Sequence, residues 1–206
     1  AEQLGVDPGD VAIVAGDTNG VPMGFGGFAS RQTVTAGSSI HLAAVQVREK
    51  VLKVAAHILE AAEGDLELAD GQVRVKGVPD MSLGLGQVAD AVAGTPGYAL
   101  PGGIEPGMEA LVNFRPDNVV YANGAHGVEI EVDHSTGGVK ILRYVMVHDS
   151  GRLINPLIVD GQVHGAIAMG IGNALFERMA FDDGGQPLTT TLSEYLVAGA
   201  TDLPNF

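Results

Sequence analysis

The stretch Pro22 to Gly37, PMGFGGFASRQTVTAG, constrains this chain more than any other. Residues 24–37 hold four glycines, and an Ala-, Val- and Leu-rich pattern follows from Ser38 to about Glu63. A glycine-rich loop feeding a helix leaves backbone N–H groups unpaired and aimed outward at the positive end of the helix dipole. Such a place receives phosphate or another anion. Ser30 adds a hydroxyl donor, Arg31 a charge-assisted one, and Gln32 follows. Two readings stand: an anion-binding loop, or a glycine-rich turn with Arg31 in an ordinary ion pair. There is no G-K-[ST], so this is no P-loop. GFGGFA does not fit G-x-G-x-x-G in register, and no βαβ pattern follows it.

The neighbouring sequence supplies the scaffold. Val11 to Val14 is a short apolar run between turn signals and reads as a buried strand. Ser38 or Ser39 can cap the next helix. Ile40, Ala43, Ala44, Val47, Val51, Val54, Ala55, Ile58 and Leu59 recur at helical spacing, with Gly64 as the expected end. Leu66–Leu68 and Gln72–Lys76 flank Asp70-Gly71, a hairpin signal. Ser82 to Val92 reads as a short helix, and Gly94 to Gly107, with three prolines, as a long surface connection. Ala110 to Phe114 reads as a strand. Gly127–Val132 and Val139–Val147 flank His134 to Gly138 as an antiparallel pair, because Val128, Ile130 and Val132 alternate with Glu129 and Glu131. Leu157 to Met179 is a second long helical pattern, interrupted by Gly161, Gly165, Gly170 and Gly172. Each glycine inside a helix costs about 1 kcal/mol against alanine, so this helix needs a packing reason. Thr189 to Leu196 reads as a strand or short helix. The expected fold is α+β: two mixed subdomains, 1–95 and 96–206, each with antiparallel strands and one long glycine/alanine-rich helix.

Composition narrows the function. A net charge of −14 argues against nucleic acid. With no cysteine, the chain offers neither an iron–sulfur nor a thiolate-zinc site. The longest apolar stretch, Leu153 to Ala168, is broken by Asn155, Pro156, Asp160, Gln162 and His164, so no transmembrane segment is expected. The six histidines show no HExxH spacing, so no metal site is expected. Asp149, Ser150, Asn155 and Gln162 place polar groups at the start of the second long helix. They read as a second anion-binding helix start, or simply as an Asn155 cap with Pro156 at the first helical position.

Two segments resemble the large, molybdenum-binding subunit of the molybdenum hydroxylases: xanthine dehydrogenases, aldehyde oxidoreductases and aerobic carbon monoxide dehydrogenases. They are Gly16 to Ala44 and His148 to Glu177. ELADGQVRVKG, GAHGVEIEVDHSTGGVKILRY and EYLVAGATDLP are similar to the same cofactor-binding region, in family order. The carbon monoxide dehydrogenase-like branch resembles the chain most.

The resemblance implies a molybdopterin cofactor, in its cytosine dinucleotide form, carrying molybdenum. It implies cofactor contacts from Gly26, Gly27, Phe28, Ala29, Ser30 and Arg31, and from Asp149, Ser150, Asn155 and Gln162. It implies hydroxylation of a substrate carbon with water-derived oxygen, or oxidation of carbon monoxide. Electrons would leave to iron–sulfur clusters and FAD on partner subunits or domains. The implied parent is a cytoplasmic dimer of heterotrimers, in which this chain joins the remainder of the large subunit and the iron–sulfur and flavin subunits. The family's catalytic glutamate follows the region matching Tyr195 to Pro204, beyond Phe206, so no catalytic residue is expected within the chain and the isolated chain is expected to be inactive. The alternative is a non-catalytic remnant or assembly piece that binds no cofactor. Gly27 stands where threonine is common in the family, Met169 replaces a frequent glutamine, and Ala198-Gly199 a frequent Pro-Thr.

Overall fold

A computed structural model of the chain describes residues 1–21, 24, 26–94, 96, 100–118 and 120–205. Two compact units result, Ala1–Asn118 and Val119–Phe206. Each is mixed α/β, with an antiparallel sheet and a long helix, as the α+β reading expects.

In the first unit, helix α1 spans Ser38–Leu59, strands β1, β2 and β3 span Leu66–Ala69, Gln72–Val75 and Val78–Gly84, and helix α2 spans Leu85–Val92. The sheet order is β1-β2-β3, antiparallel throughout. Alternation explains its two faces. Leu66 pairs with Val75 and Leu68 with Val73 on the core side, while Glu67 opposite Arg74 faces out, their side chains 2.7 Å apart. Val73 and Leu66 meet Val51, Val54 and Ala55 of α1 and Val88, Ala91 and Val92 of α2 in one buried cluster. Leu100, Ile104 and Met108 pack against that cluster. Lys50 Nζ donates to the Gly107 carbonyl at 2.8 Å, and the Phe114 N–H donates to Ser39 Oγ at 3.1 Å. Residues 100–114 are thereby tied back along α1.

Several expectations are corrected here. Residues 11–14 form no strand: Ile13 is 83% and Val14 77% exposed. Ala110 to Phe114 forms no strand either. Helix α1 ends at Leu59, before Gly64, because Glu60 takes a left-handed conformation (φ 52°) and its N–H reaches the Ala56 carbonyl. The reading of a helix from Ser82 missed β3; it is an edge strand, where the missing N–H of Pro79 is tolerated. Gly84 precedes α2 and donates its N–H to Gln87 Oε1 at 2.9 Å, so it caps the helix and is not part of its interior.

In the second unit, β4 (Asn123–Val132) and β5 (Val139–Asp149) form a hairpin, and helix α3 spans Pro156–Leu175. The register matches Val128 with Tyr144 and Val132 with Val139, with an irregularity between Glu129 and Ile130. His148 and Asp149, read as loop, complete β5 opposite Gly124 and Asn123. Helix α3 stops short of Met179, since the N–H groups of Phe176 and Glu177 both converge on the Gly172 carbonyl. Thr189 to Leu196 forms neither strand nor helix: Glu194 accepts bonds from Thr190 and Thr191, and Tyr195 Oη donates to Glu177 Oε2 at 2.7 Å. Among the described residues no helix is long and apolar enough to cross a membrane.

Candidate cofactor-binding site

The glycine loop lies in the first unit. Pro22, Met23 and Phe25 of the opening motif fall outside the described residues. Gly26 has φ 77°, but the sharp part of the turn is made by two residues that are not glycine, Ala29 (φ 55°) and Ser30 (φ 51°). L-residues pay roughly 1–2 kcal/mol each to enter this region. Their side chains are small, which limits the clash. Phe28 is 58% exposed, and the Arg31 guanidinium lies 4.0 Å from its ring centroid. That stacking holds the cation at the loop instead of letting it trail into solvent.

The chain enters α1 through a five-residue π-turn, Thr33–Gly37. The Arg31 carbonyl accepts both the Thr35 N–H at 2.9 Å and Thr35 Oγ1 at 3.1 Å. Single π-turns of this kind gather at functional sites. The expected Ser38 or Ser39 cap is absent because Gln32, Gly37 and Ser38 already have helical backbone angles, and Ser39 Oγ instead serves Phe114.

Among the described residues, the backbone N–H groups of Gly26 through Ser30 donate no hydrogen bond. The segment Gly26–Gln32 contains no carboxylate. Exposed N–H donors, a hydroxyl and a guanidinium are a donor set for a phosphate, the chemistry of a dinucleotide cofactor's tail.

The second predicted group lies in the other unit, and each is described by itself. Asp149 closes β5, and its Oδ1 accepts the Gly151 N–H at 2.9 Å. Gly151 turns with φ 74°. Asn155 caps α3, its side chain accepting the Ile158 N–H at 3.4 Å, with Pro156 at the first helical position. Ser150 and Gln162 are exposed. The cap reading of Asn155 therefore holds as geometry. Cβ atoms built on Gly161, Gly165 and Gly170 meet nothing within 4 Å, whereas one on Gly172 would lie 2.8 Å from Glu177 Oε1. The described residues thus supply a packing reason for one of the four interior glycines.

Sequence reasoning missed the left-handed pair and the π-turn. The glycines of the loop drew attention for their unpaired N–H groups, while the left-handed pair falls on Ala29 and Ser30. The β-branched Thr33 and Val34 with Gly37 were the available signal for an irregular helix start.

Comparison with known proteins gives the chain its family. The family model described as "Molybdopterin cofactor-binding domain" matches residues 1–204. The chain is 40% identical over 205 residues to the 6-hydroxypseudooxynicotine dehydrogenase complex subunit gamma of Paenarthrobacter nicotinovorans, covering all of this chain and 25% of that protein. It is 34% identical over 206 residues to the carbon monoxide dehydrogenase large chain of Hydrogenophaga pseudoflava, again covering 100% of this chain and 25% of the relative. Among solved structures, quinoline 2-oxidoreductase from Pseudomonas putida 86 superposes with a TM-score of 0.81 at 41% identity, covering 98% of this chain and 26% of that one. The chain spans about a quarter of the length of the relatives it matches. With an antiparallel sheet and a long helix in each unit and a family match across nearly its whole length, the chain belongs to the molybdopterin cofactor-binding domain family.

Proposed function

We propose that this chain is the cofactor-binding portion of a larger molybdenum hydroxylase, and that the Gly26–Arg31 loop receives the cofactor's phosphate-bearing tail. The observation that carries this reading is the loop's donor set: N–H groups of the exposed residues Gly26 through Ser30 without partners among the described residues, beside an Arg31 stacked on Phe28. The polar start of α3, with Ser150, Asn155 and Gln162, is the second contact. Asp149 contributes by shaping the turn through its bond to Gly151.

When bound, the molybdenum carried by molybdopterin would supply the two-electron redox chemistry of the parent enzyme. The chain's own residues bind and orient it. The cofactor is the cytosine dinucleotide form. The reaction class is hydroxylation of a substrate carbon, in which the carbon gains an oxygen from water and gives up two electrons, or oxidation of carbon monoxide. Relatives named for nicotine-derived substrates and for carbon monoxide favour this class. Those electrons pass to iron–sulfur and flavin groups on partner subunits of a cytoplasmic dimer of heterotrimers.

The rest of the large subunit is the first partner. An isolated two-stranded ribbon is marginal in water, and Val128, Ile130 and Val132 of β4 remain 43–51% exposed. Coverage by further polypeptide meets that need.

The test is the complete subunit carrying Arg31→Ala. Its molybdenum content and the nucleotide released on acid hydrolysis should fall roughly 10-fold or more, the scale of a lost charge-assisted hydrogen bond. Cofactor content equal to the parent's refutes the role of the loop and leaves the non-catalytic reading.

A further inference from the structure

Residues 11–15, Val-Ala-Ile-Val-Ala, are an unbroken apolar run between Asp10 and Gly16. Ile13 is 83% and Val14 77% exposed. Neighbouring side chains of an extended chain point to opposite sides, so neither side of the run is covered. Among the described residues, the backbone N–H and carbonyl groups of Ala12 through Ala15 make no hydrogen bond. Both ends of the run are fastened nonetheless. Ahead of it, the Gly71 N–H donates to the Gly5 carbonyl at 2.7 Å, and Asp7 Oδ1 accepts the Gly9 N–H at 2.7 Å. Behind it, Gly16 turns with φ 73°, and Asp17 accepts the Asn19 N–H on its side chain and the Val21 N–H on its carbonyl, both at 2.9 Å. The run is a short arm between two closed turns. An apolar run of this length between turn signals has the pattern of a strand buried on both faces.

We infer that residues 11–15 are a strand that this chain contributes to a β-sheet in the rest of the large subunit. The inference rests on the reading that the chain is part of such a subunit. The relatives that match the whole chain at 34–40% identity are matched over only 25% of their own length, so most of their polypeptide lies outside the matched span. A second copy is disfavoured by charge. Each chain carries −14, and two runs laid side by side gather Asp10 and Asp17 of both at their ends. Strand β1 of the chain's own sheet is met by the residues ahead of the run: a Cβ on Gly5 would stand 2.6 Å from the Leu68 carbonyl oxygen. In strand addition, main-chain hydrogen bonds supply the affinity and alternate side chains the specificity. Here Val11 and Ile13 serve one face and Ala12 and Val14 the other. Pairing at this point also fixes the chain on its approach to the Gly26–Arg31 loop.

The experiment uses the complete large subunit, with its polypeptide mass and molybdenum content measured first. Amide hydrogen exchange over residues 12–15 is compared with that of a free peptide spanning residues 6–21. Exchange in the subunit should be slower by roughly 100-fold or more, the mark of ladder hydrogen bonds. Photo-methionine introduced as Ile13→Met should cross-link to polypeptide of the same subunit outside these 206 residues. Ile13→Pro, which removes one N–H and breaks the ladder, should bring the exchange back toward the free-peptide rate. Free-peptide exchange in a molybdenum-loaded parent subunit overturns the inference and leaves the cofactor reading standing. A cross-link to β3 of this chain, or to a second copy, overturns it as well. Protection with the expected cross-link in a subunit that holds no molybdenum supports the inference and removes the cofactor reading. A native polypeptide no longer than this chain overturns both. If Ile13→Pro fails to fold, exchange in the parent and the cross-link decide the outcome.

Discussion

Ala29 and Ser30 show how a glycine-rich loop can turn at residues that are not glycine. Both take positive φ, at 55° and 51°, where an L-residue crowds its own carbonyl. Alanine and serine carry the smallest side chains that still restrict the backbone, so the turn keeps its form with less freedom than glycine would allow. A β-branched residue meets the full clash. Ala29→Val should lower stability by about 1–3 kcal/mol in thermal or urea unfolding, whereas Ala29→Gly should leave it near the parent's. Equal melting of the valine variant and the parent would show that the position carries no such constraint. Gln32 and Gly27 make the same point through contact: the amide of one occupies the space the other leaves open.

The β4–β5 hairpin depends on its connection. Asp133 Oδ1 accepts the Ser135 N–H at 2.8 Å and the Ser135 hydroxyl at 2.7 Å, and Oδ2 accepts Thr136 Oγ1 at 2.8 Å. These bonds, the Ser135 hydroxyl first, lower the Asp133 pKa from 3.8 to about 2. A carboxyl whose folded value is depressed adds stability above its unfolded value and loses it as pH falls through the folded one. The turn should therefore hold above about pH 4 and weaken progressively toward about pH 2. Amide exchange or chemical shifts at Ser135 and Thr136, followed against pH, check this. Asp133→Asn should flatten the dependence, and an unchanged titration in that variant would assign the effect elsewhere. Helix α3 makes a contrasting demand. Its glycines at 161, 165 and 170 face open space among the described residues, so their helical cost is repaid by something other than the packing described here.

At the scale of the molecule, burial is uneven. The first unit holds a cluster in which eight side chains from α1, β1, β2 and α2 are at most 4% exposed. In the second unit the buried apolar side chains among the described residues are Ile167 and Ile171 of α3. Leu66→Ala removes a packed side chain from the first cluster and should cost about 2–5 kcal/mol in urea unfolding. The equivalent truncation of Leu157, which is 78% exposed, should change little. A large loss at Leu157 in this chain would mean that α3 is covered in solution.

The sequence by itself carried the periodic elements and the family. Helix α1, the β1–β2 hairpin, the β4–β5 alternation and the Asn155-Pro156 start of α3 were legible because their spacing and caps are local. The two polar, glycine-rich segments were legible for the same reason. Tertiary structure decided the rest. Val11 to Val14 had the composition of a strand, but among the described residues no strand pairs with it. Strand β3 carries Pro79, which its edge position permits. Ser39, a plausible cap by type, serves Phe114, 75 residues away. In the loop, local chemistry identified the donors, but the left-handed pair at Ala29 and Ser30, the Arg31–Phe28 stack and the Gln32 amide over Gly27 depend on where the folded backbone brings groups together. Spacing along a chain fixes which residues share a face; only the fold fixes which space each side chain must leave to another.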